Sequence, residues 1–260
     1  MQLKDVIEEL EQLSPPSFAE DWDNSGLMCG RMKKEIHTIL LSVDATDEVV
    51  EEAILSEVDL LVTHHPLIFT KISHITEDDI VGRRLLKLIG ADISCYAMHT
   101  NFDVMGMADE AADRLDLRDR DVMKVTYEDS ISREGIGRVG NLPSEMSLRE
   151  CAEMVKEVFN IDSVRIFGNP DRRIRRAAIS PGSGKKMSED ALLGGAEVLI
   201  TGDIDHHDGI DSVAKGLSII DAGHYGIEKI FVPYMKDYFR KKMPEMNVIV
   251  ASQDEPFIVI

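Results

Sequence analysis

Three polar clusters in this chain contain residue types that hold and use divalent metal ions. They are Thr63-His64-His65-Pro66, His99-Thr100-Asn101-Phe102-Asp103 and Asp221-Ala222-Gly223-His224-Tyr225-Gly226-Ile227-Glu228. Six of the eight histidines lie in these clusters or in the pair His206-His207. Each cluster directly follows an apolar run. His224 and Glu228 are spaced so that a helix starting by Tyr225 puts them on one face, and Gly223 suits a tight strand-to-helix turn before them. Adjacent histidines in a straight strand point to opposite faces. A turn at a strand end, with Pro66 holding His65 extended, lets both imidazoles face one pocket. Asp103 adds a carboxylate. Imidazoles with two carboxylates and no thiolate suit two borderline-to-hard divalent ions such as Zn, Mn, Fe or Co. Two such ions about 3.5–4 Å apart, bridged by a carboxylate, activate water for hydrolysis. Each cluster also has a plainer reading: a satisfied loop for His64-His65-Pro66, a turn or cap for Asp103, a solvated helix pair for His224 and Glu228. Their shared place at the ends of apolar runs favours the metal reading.

The elements that must position these residues follow from periodicity. Leu3, Val6, Ile7, Leu10 and Leu13 have helical spacing over residues 2–13, and Pro15-Pro16 stops that helix. Residues 37–45, 59–63 and 92–98 read as buried strands, alternating with helices over 47–57, 79–89 and 107–116. Strands apolar on both faces, alternating with helices, indicate a parallel sheet. Its ligands belong beyond the carboxyl ends of the strands. The character changes near residue 120: residues 126–141 are polar and Gly-rich, with a strand-like end. Ser147-Leu148-Arg149-Glu150 has the form of a capping box and opens a helix to about Asn160. Strands are expected over 163–168, 173–180, 197–201 and 217–221, and helices near 188–194 and 208–215. A long helix from about Tyr225 to Met243, kinked at Pro233, precedes a last strand over 247–251. The expected fold is α/β, with two α/β lobes of mainly parallel sheet, the second inserted in the first. Residues 1–122 and 221–260 form the metal-binding lobe and residues 123–220 the second.

Composition narrows the partners. Of 260 residues, 29 are Lys or Arg and 48 are Asp or Glu, a formal charge of −19. So acidic a surface repels phosphate backbones, which speaks against tracking along nucleic acid or binding an anionic membrane. Aromatic residues make up only 5%, against a stacking platform for single strands. Cys29, Cys95 and Cys151 are widely spaced and form no C-x-x-C pair. They read as buried reduced thiols of a cytoplasmic protein. The start, Met1-Gln2-Leu3-Lys4-Asp5, lacks the features of a signal peptide, and no apolar run reaches a bilayer-spanning length.

The cluster residues also carry a resemblance. Thr63 to Phe69, His99 to Asp103, Thr201-Gly202-Asp203, Asp221 to Glu228 and the stretch DWDNSGLMCG at residues 21–30 are similar, in order, to motifs of the Nif-three-like dinuclear metal-centre family. Its members are commonly called type-2 GTP cyclohydrolase I homologues. The match covers almost the whole chain, and the combination is specific where single motifs are not. The resemblance implies a two-metal site in which His64 and Asp103 bind one ion, His65 and His224 the other, and Glu228 bridges them. It also implies a ring-shaped homohexamer with the sites facing an internal cavity. At this length the chain resembles the compact members, without the extra inserted domain of longer ones.

The leading expectation is a hydrolase with two divalent ions (Zn, Fe, Mn, Co or Ni), opening the ring of a purine nucleotide by attack at C8, as the resemblance implies. A phosphoesterase acting on a nucleotide or small phosphorylated molecule would use the same metal pair. A metal-binding scaffold or regulatory protein is the non-enzymatic alternative. His99 is a candidate to orient Asp103, contact substrate or shuttle protons. His206 and His207 are candidates to line the pocket, or else mark a surface helix start. His37 and His74 fit no cluster and read as structural or surface residues. Gly182-Ser183-Gly184-Lys185-Lys186 falls short of a phosphate loop, because Ile179 and Lys186 stand where Gly and Ser or Thr are needed. The basic run Arg172-Arg173-Ile174-Arg175-Arg176 reads as a solvated strand edge.

Overall fold

Alternation is absent from the first strands. Ile39, Leu40, Leu41, Leu60, Leu61 and Val62 are all buried, as in a sheet covered on both faces. The computed structural model describes residues 1–260. The chain divides into two units, Met1–Phe102 with Phe231–Asp254, and Asp103–Ile230 with Glu255–Ile260.

The first unit opens with α1 (Leu3–Leu13), β1 (Gly26–Cys29), β2 (Thr38–Ser42), α2 (Asp47–Leu55), β3 (Leu60–Thr63), α3 (Ile80–Gly90), β4 (Ser94–Ala97) and the short α4 (Thr100–Phe102). The second unit starts with a π-helical turn, Asp103–Met107. It continues through α5 (Ala108–Arg114), β5 (Arg118–Glu128), β6 (Arg133–Ser147), α6 (Leu148–Phe159), β7 (Arg165–Phe167), β8 (Arg173–Ser183), α7 (Ser188–Leu193), β9 (Val198–Gly202), α8 (His206–Ala214), β10 (Ser218–Asp221) and α9 (His224–Glu228). The chain then returns to the first unit with α10 (Phe231–Lys242) and β11 (Asn247–Val250).

The first sheet has the order β1-β4-β3-β2-β11. All its pairings are parallel except β1 with β4. Ser42 is level with Thr63, and Thr63 with Ala97, so the chain leaves β2, β3 and β4 at one height. The second sheet runs β5-β6-β8-β9-β10-β7. Both α/β lobes expected from the sequence are present. In the second, parallel pairing is confined to β8-β9-β10, whose crossovers contain α7 and α8. β5-β6, β6-β8 and β10-β7 are antiparallel. Antiparallel neighbours such as β5 and β6 need only a short turn, which residues 129–132 provide.

Several local expectations change. The unit boundaries fall after Phe102 and before Phe231 rather than at 122/123 and 220/221. The reason is packing: Arg138 of β6 donates to Val104 O and grips Asp109, so residues 103–114 stay with the second sheet. Strand β5 was not expected, because its sequence RDRDVMKVTYE is charged and buries only Met123. The expected kinked helix is two helices, α9 and α10, broken before Phe231. Pro233 is the third residue of α10, where its missing N–H costs no intrahelical bond. The run Arg172–Arg176 leads into β8, where it pairs with β6 alone; pairing with β9 begins only at Ala177, and Arg173 and Arg175 are exposed, as a solvated strand edge would be. Ile174 is buried there, while Arg173 turns out to Glu145 and Glu150, both at 3.2 Å. The capping box is present: Glu150 N donates to Ser147 Oγ and Ser147 N to Glu150 Oε2.

Candidate metal centre

Each unit assembles its own group of donors at the carboxyl ends of parallel strands. In the first unit, His64 and His65 directly follow β3. Thr63 Oγ1 donates to His65 O at 2.8 Å and closes the turn. The two imidazoles consequently lie side by side, ring centroids 4.8 Å apart. His99 follows β4, and donor atoms of His64, His65 and His99 lie within 4.8 Å of one another. In the second unit, Asp103 sits in the π-helical turn, and His224 and Glu228 lie on α9. Carboxylate oxygens of Asp103 and Glu228 also lie within 4.8 Å of one another, and His224 Nε2 is 3.0 Å from Glu228 Oε2.

The state of the imidazoles decides what these groups can bind. His64 Nδ1 is 2.7 Å from Met98 O. A carbonyl only accepts, so Nδ1 donates and Nε2 keeps its lone pair. His65 Nδ1 meets Asp44 Oδ1 at 2.7 Å, His99 Nδ1 meets Asp23 Oδ1 at 2.6 Å, and His224 Nδ1 meets Asp203 Oδ2 at 2.7 Å. An ionised carboxylate fixes the same tautomer in each. This is the outer shell that metal-ligating histidines use, and it fits the donor set to a divalent cation with nitrogen and oxygen preference. At Asp23, burial works against ionisation. Hydrogen bonds from His99, Ser25 and Thr100 outweigh it and hold the carboxyl well below the usual carboxylate range.

The supports are themselves held. Asp44 follows β2, and its Oδ2 accepts from Gln253 Nε2 at 2.9 Å. Gln253 Oε1 accepts from Ser42 Oγ, Val43 N and Asp44 N at 2.6, 3.1 and 3.2 Å. The tail after β11 thus clamps the carboxylate that orients His65. Replacing Asp44 with alanine removes that orientation. We expect metal affinity to fall about 10- to 100-fold, read by competition with a chromophoric chelator, while the protein stays folded. Asp203 follows β9 and holds a positive φ of 56°, a conformation aspartate tolerates better than most residues. Buried Asp221 accepts from Gly223 N at 3.1 Å and from Ile204 N at 3.1 Å, tying the two loops that carry His224 and Asp203.

Gly182 explains the glycine-rich stretch that imitates a phosphate loop. It stands one residue before the end of β8 with φ +72°, and a Cβ there would lie 2.3 Å from Glu228 Oε1. The missing side chain makes room for the Glu228 carboxylate. Gly182→Ala is therefore expected to displace Glu228 and lower metal affinity at least tenfold, measured by metal titration, with circular dichroism unchanged. Gly223, with φ +76°, makes the turn into α9 as its spacing suggests.

His206 and His207 open α8, both exposed, with ring centroids 5.3 Å apart. The donor groups do not include them. His37 and His74 are exposed. The sequence reading missed the roles of Asp23, Asp44, Asp203 and Gln253. Asp44 and Asp203 had a usable signal, a carboxylate just past a buried strand. Gln253 had none.

The chain resembles known proteins along almost its whole length. The family described as Duf34/NIF3 (NGG1p interacting factor 3) matches residues 1–256. A Clostridium perfringens protein named GTP cyclohydrolase 1 type 2 homolog is 38% identical over 261 residues, covering 99% of each chain. A Clostridium acetobutylicum protein of the same name is 34% identical over 259 residues, covering 98% of this chain and 96% of its own. Among solved structures, the Staphylococcus aureus protein SA1388 superposes with a TM-score of 0.89 at 29% identity, over 100% of this chain and 99% of its own. With the match running through both units, the chain belongs to the Duf34/NIF3 family.

Proposed function

We propose that the chain is a hydrolase that works with two divalent metal ions, held by His64 and Asp103, by His65 and His224, and by Glu228 as the shared ligand. The observation that supports this most is the common state of the imidazoles: His64, His65 and His224 each have Nδ1 engaged by a carbonyl or carboxylate. That leaves Nε2 as the ligand atom. When bound, the ions supply the positive charge that makes a water acidic near neutral pH. The chain's own residues orient and move protons. Asp23 stays ionised and keeps the His99 proton on Nδ1, so His99 Nε2 is placed to accept a proton.

The names of the relatives support a purine nucleotide such as GTP as substrate; opening at C8 is what the family resemblance implies. The net charge of −19 does not oppose this, because two divalent ions against Asp103 and Glu228 leave the centre itself cationic. The reading extends to a cytoplasmic homohexamer, supported by three cysteines without disulfide bonds and by the family. No helix is long and apolar enough to cross a membrane.

The test is elemental analysis of untagged protein, followed by a hydrolysis screen with the metals it holds. Loss of the purine ring chromophore from GTP supports ring opening. Phosphate release without ring loss replaces it with a phosphoesterase. No turnover of nucleotides or phosphoesters by metal-loaded protein favours the scaffold reading.

A further inference from the structure

We propose that Trp22 and Phe69 form a stacking platform for one planar heteroaromatic ring of a small-molecule ligand, beside the histidines of the first unit. Trp22 is the only tryptophan in the chain, and it is 59% exposed, with Phe69 55% exposed. Tryptophan usually buries most of its large apolar surface. Here the two rings lie together, centroids 5.9 Å apart at 49°. Both adjoin His99, Trp22 at 5.9 Å and Phe69 at 6.0 Å. His99 in turn lies 5.4 Å from both His64 and His65. The platform is continuous with the donor group.

It is also held in place. Asp23, the residue after Trp22, accepts from Ser25 Oγ at 2.6 Å and from Thr100 Oγ1 at 2.6 Å, and it meets His99 Nδ1. Asn24 Nδ2 donates to Ile68 O at 2.6 Å, next to Phe69. The loops that carry the two rings are tied to each other and to the catalytic candidate. An ordered apolar surface in water gains by receiving a flat apolar partner, and aromatic side chains hold bases by stacking on their faces. The acidic chain repels a nucleic-acid strand, which limits the ligand to a single base or a comparable small heteroaromatic molecule. Polar substituents of a ring lying there reach toward the imidazoles. That placement of the ligand's reacting part rests on the metal-dependent reading above, whereas the platform does not.

A lone tryptophan makes its own probe. The full-length protein, both metal-loaded and chelator-treated, is titrated with guanosine and with ring-free ribose 5-phosphate while Trp22 fluorescence is followed. We expect saturable quenching by guanosine in both forms and none by ribose 5-phosphate. We expect Phe69→Ala to weaken guanosine binding about tenfold with metal content unchanged. The absence of saturable quenching, equal quenching by ribose 5-phosphate, or an unchanged affinity in Phe69→Ala would overturn the platform. So would an emission maximum typical of buried indole in the purified protein, which would mean a second copy covers it. Failure of the metal reading shows separately, as absence of bound metal in a protein that still binds guanosine.

Discussion

On the proposed two-ion reading, replacing Glu228 with alanine is expected to abolish metal binding and the hydrolysis that depends on it, while the fold survives. Glu228 is 3% exposed, and its surroundings leave it little freedom. Gly182 lacks the Cβ that would meet Oε1, and His224 Nε2 stands 3.0 Å from Oε2. A carboxylate so buried costs several kcal/mol unless it faces positive charge. If Glu228 is the shared ligand, as proposed, its loss gives up both ions, whereas Asp103→Ala should empty one. Metal binding to the folded state alone stabilises it by about 4 kcal/mol at a thousandfold excess over Kd. For a chain of this size that raises Tm by about 8–16 °C. The wild-type protein should show such a rise on adding metal, and Glu228→Ala should show almost none, with its circular dichroism unchanged. Elemental analysis supplies the direct count. Two ions retained by the double variant His64→Ala/Asp103→Ala would overturn the ligand assignment.

Arg138→Met is expected to destabilise the protein by about 3 kcal/mol. The guanidinium is buried, with 6% of the side chain exposed. Nε and Nη2 donate to Asp109 Oδ1 and Oδ2 at 2.7 and 2.8 Å, a bidentate fork. Nη1 donates to Gly135 O and Gly137 O at 2.9 and 3.0 Å, and Nη2 reaches Val104 O at 3.4 Å. Asp109 is half exposed and can turn to water when the partner is removed, so its loss contributes less than a fully buried pair would. The carbonyls have no such escape, and an unsatisfied buried acceptor costs about 1–3 kcal/mol. Methionine fills most of the volume, which separates the polar loss from a cavity effect. Urea unfolding should show a lower midpoint with an unchanged m-value. Because the fork holds residues 104–109, the turn that contains Asp103 is anchored through the same side chain.

Much of the fold was legible where burial is dense. Residues 60–63 and 94–97 are buried strands with no polar alternation, and their run length and apolar content mark them without any partner in view. Helix α6 announced itself through Ser147 and Glu150, because a capping box is a local interaction between residues three apart. The hairpin strand β5 was not legible. Its charged residues face solvent, and what makes it a strand is backbone pairing with β6, which composition does not encode. The break between α9 and α10 was misplaced for a similar reason: Pro233 is a conspicuous signal, yet proline in the first turn of a helix is tolerated, and the chain turns before it.

At the site, the division follows the range of the interactions. The candidate donors His64, His65, Asp103, His224 and Glu228 stood out by their chemistry and by their position after apolar runs, both readable along the chain. The family resemblance added the pairing of those donors. Tertiary structure alone decided which nitrogen each histidine offers, because Asp44 lies 21 residues from His65, Asp203 lies 21 from His224, and Asp23 lies 76 from His99. It alone revealed that Gly182 is a space for Glu228 rather than a phosphate cradle, and that Gln253 reaches back across 209 residues to clamp Asp44. A sequence specifies which groups are available and where strands end. Tautomers, close approaches and clamps are properties of distances between residues remote in sequence, and those exist only once the sheets have formed.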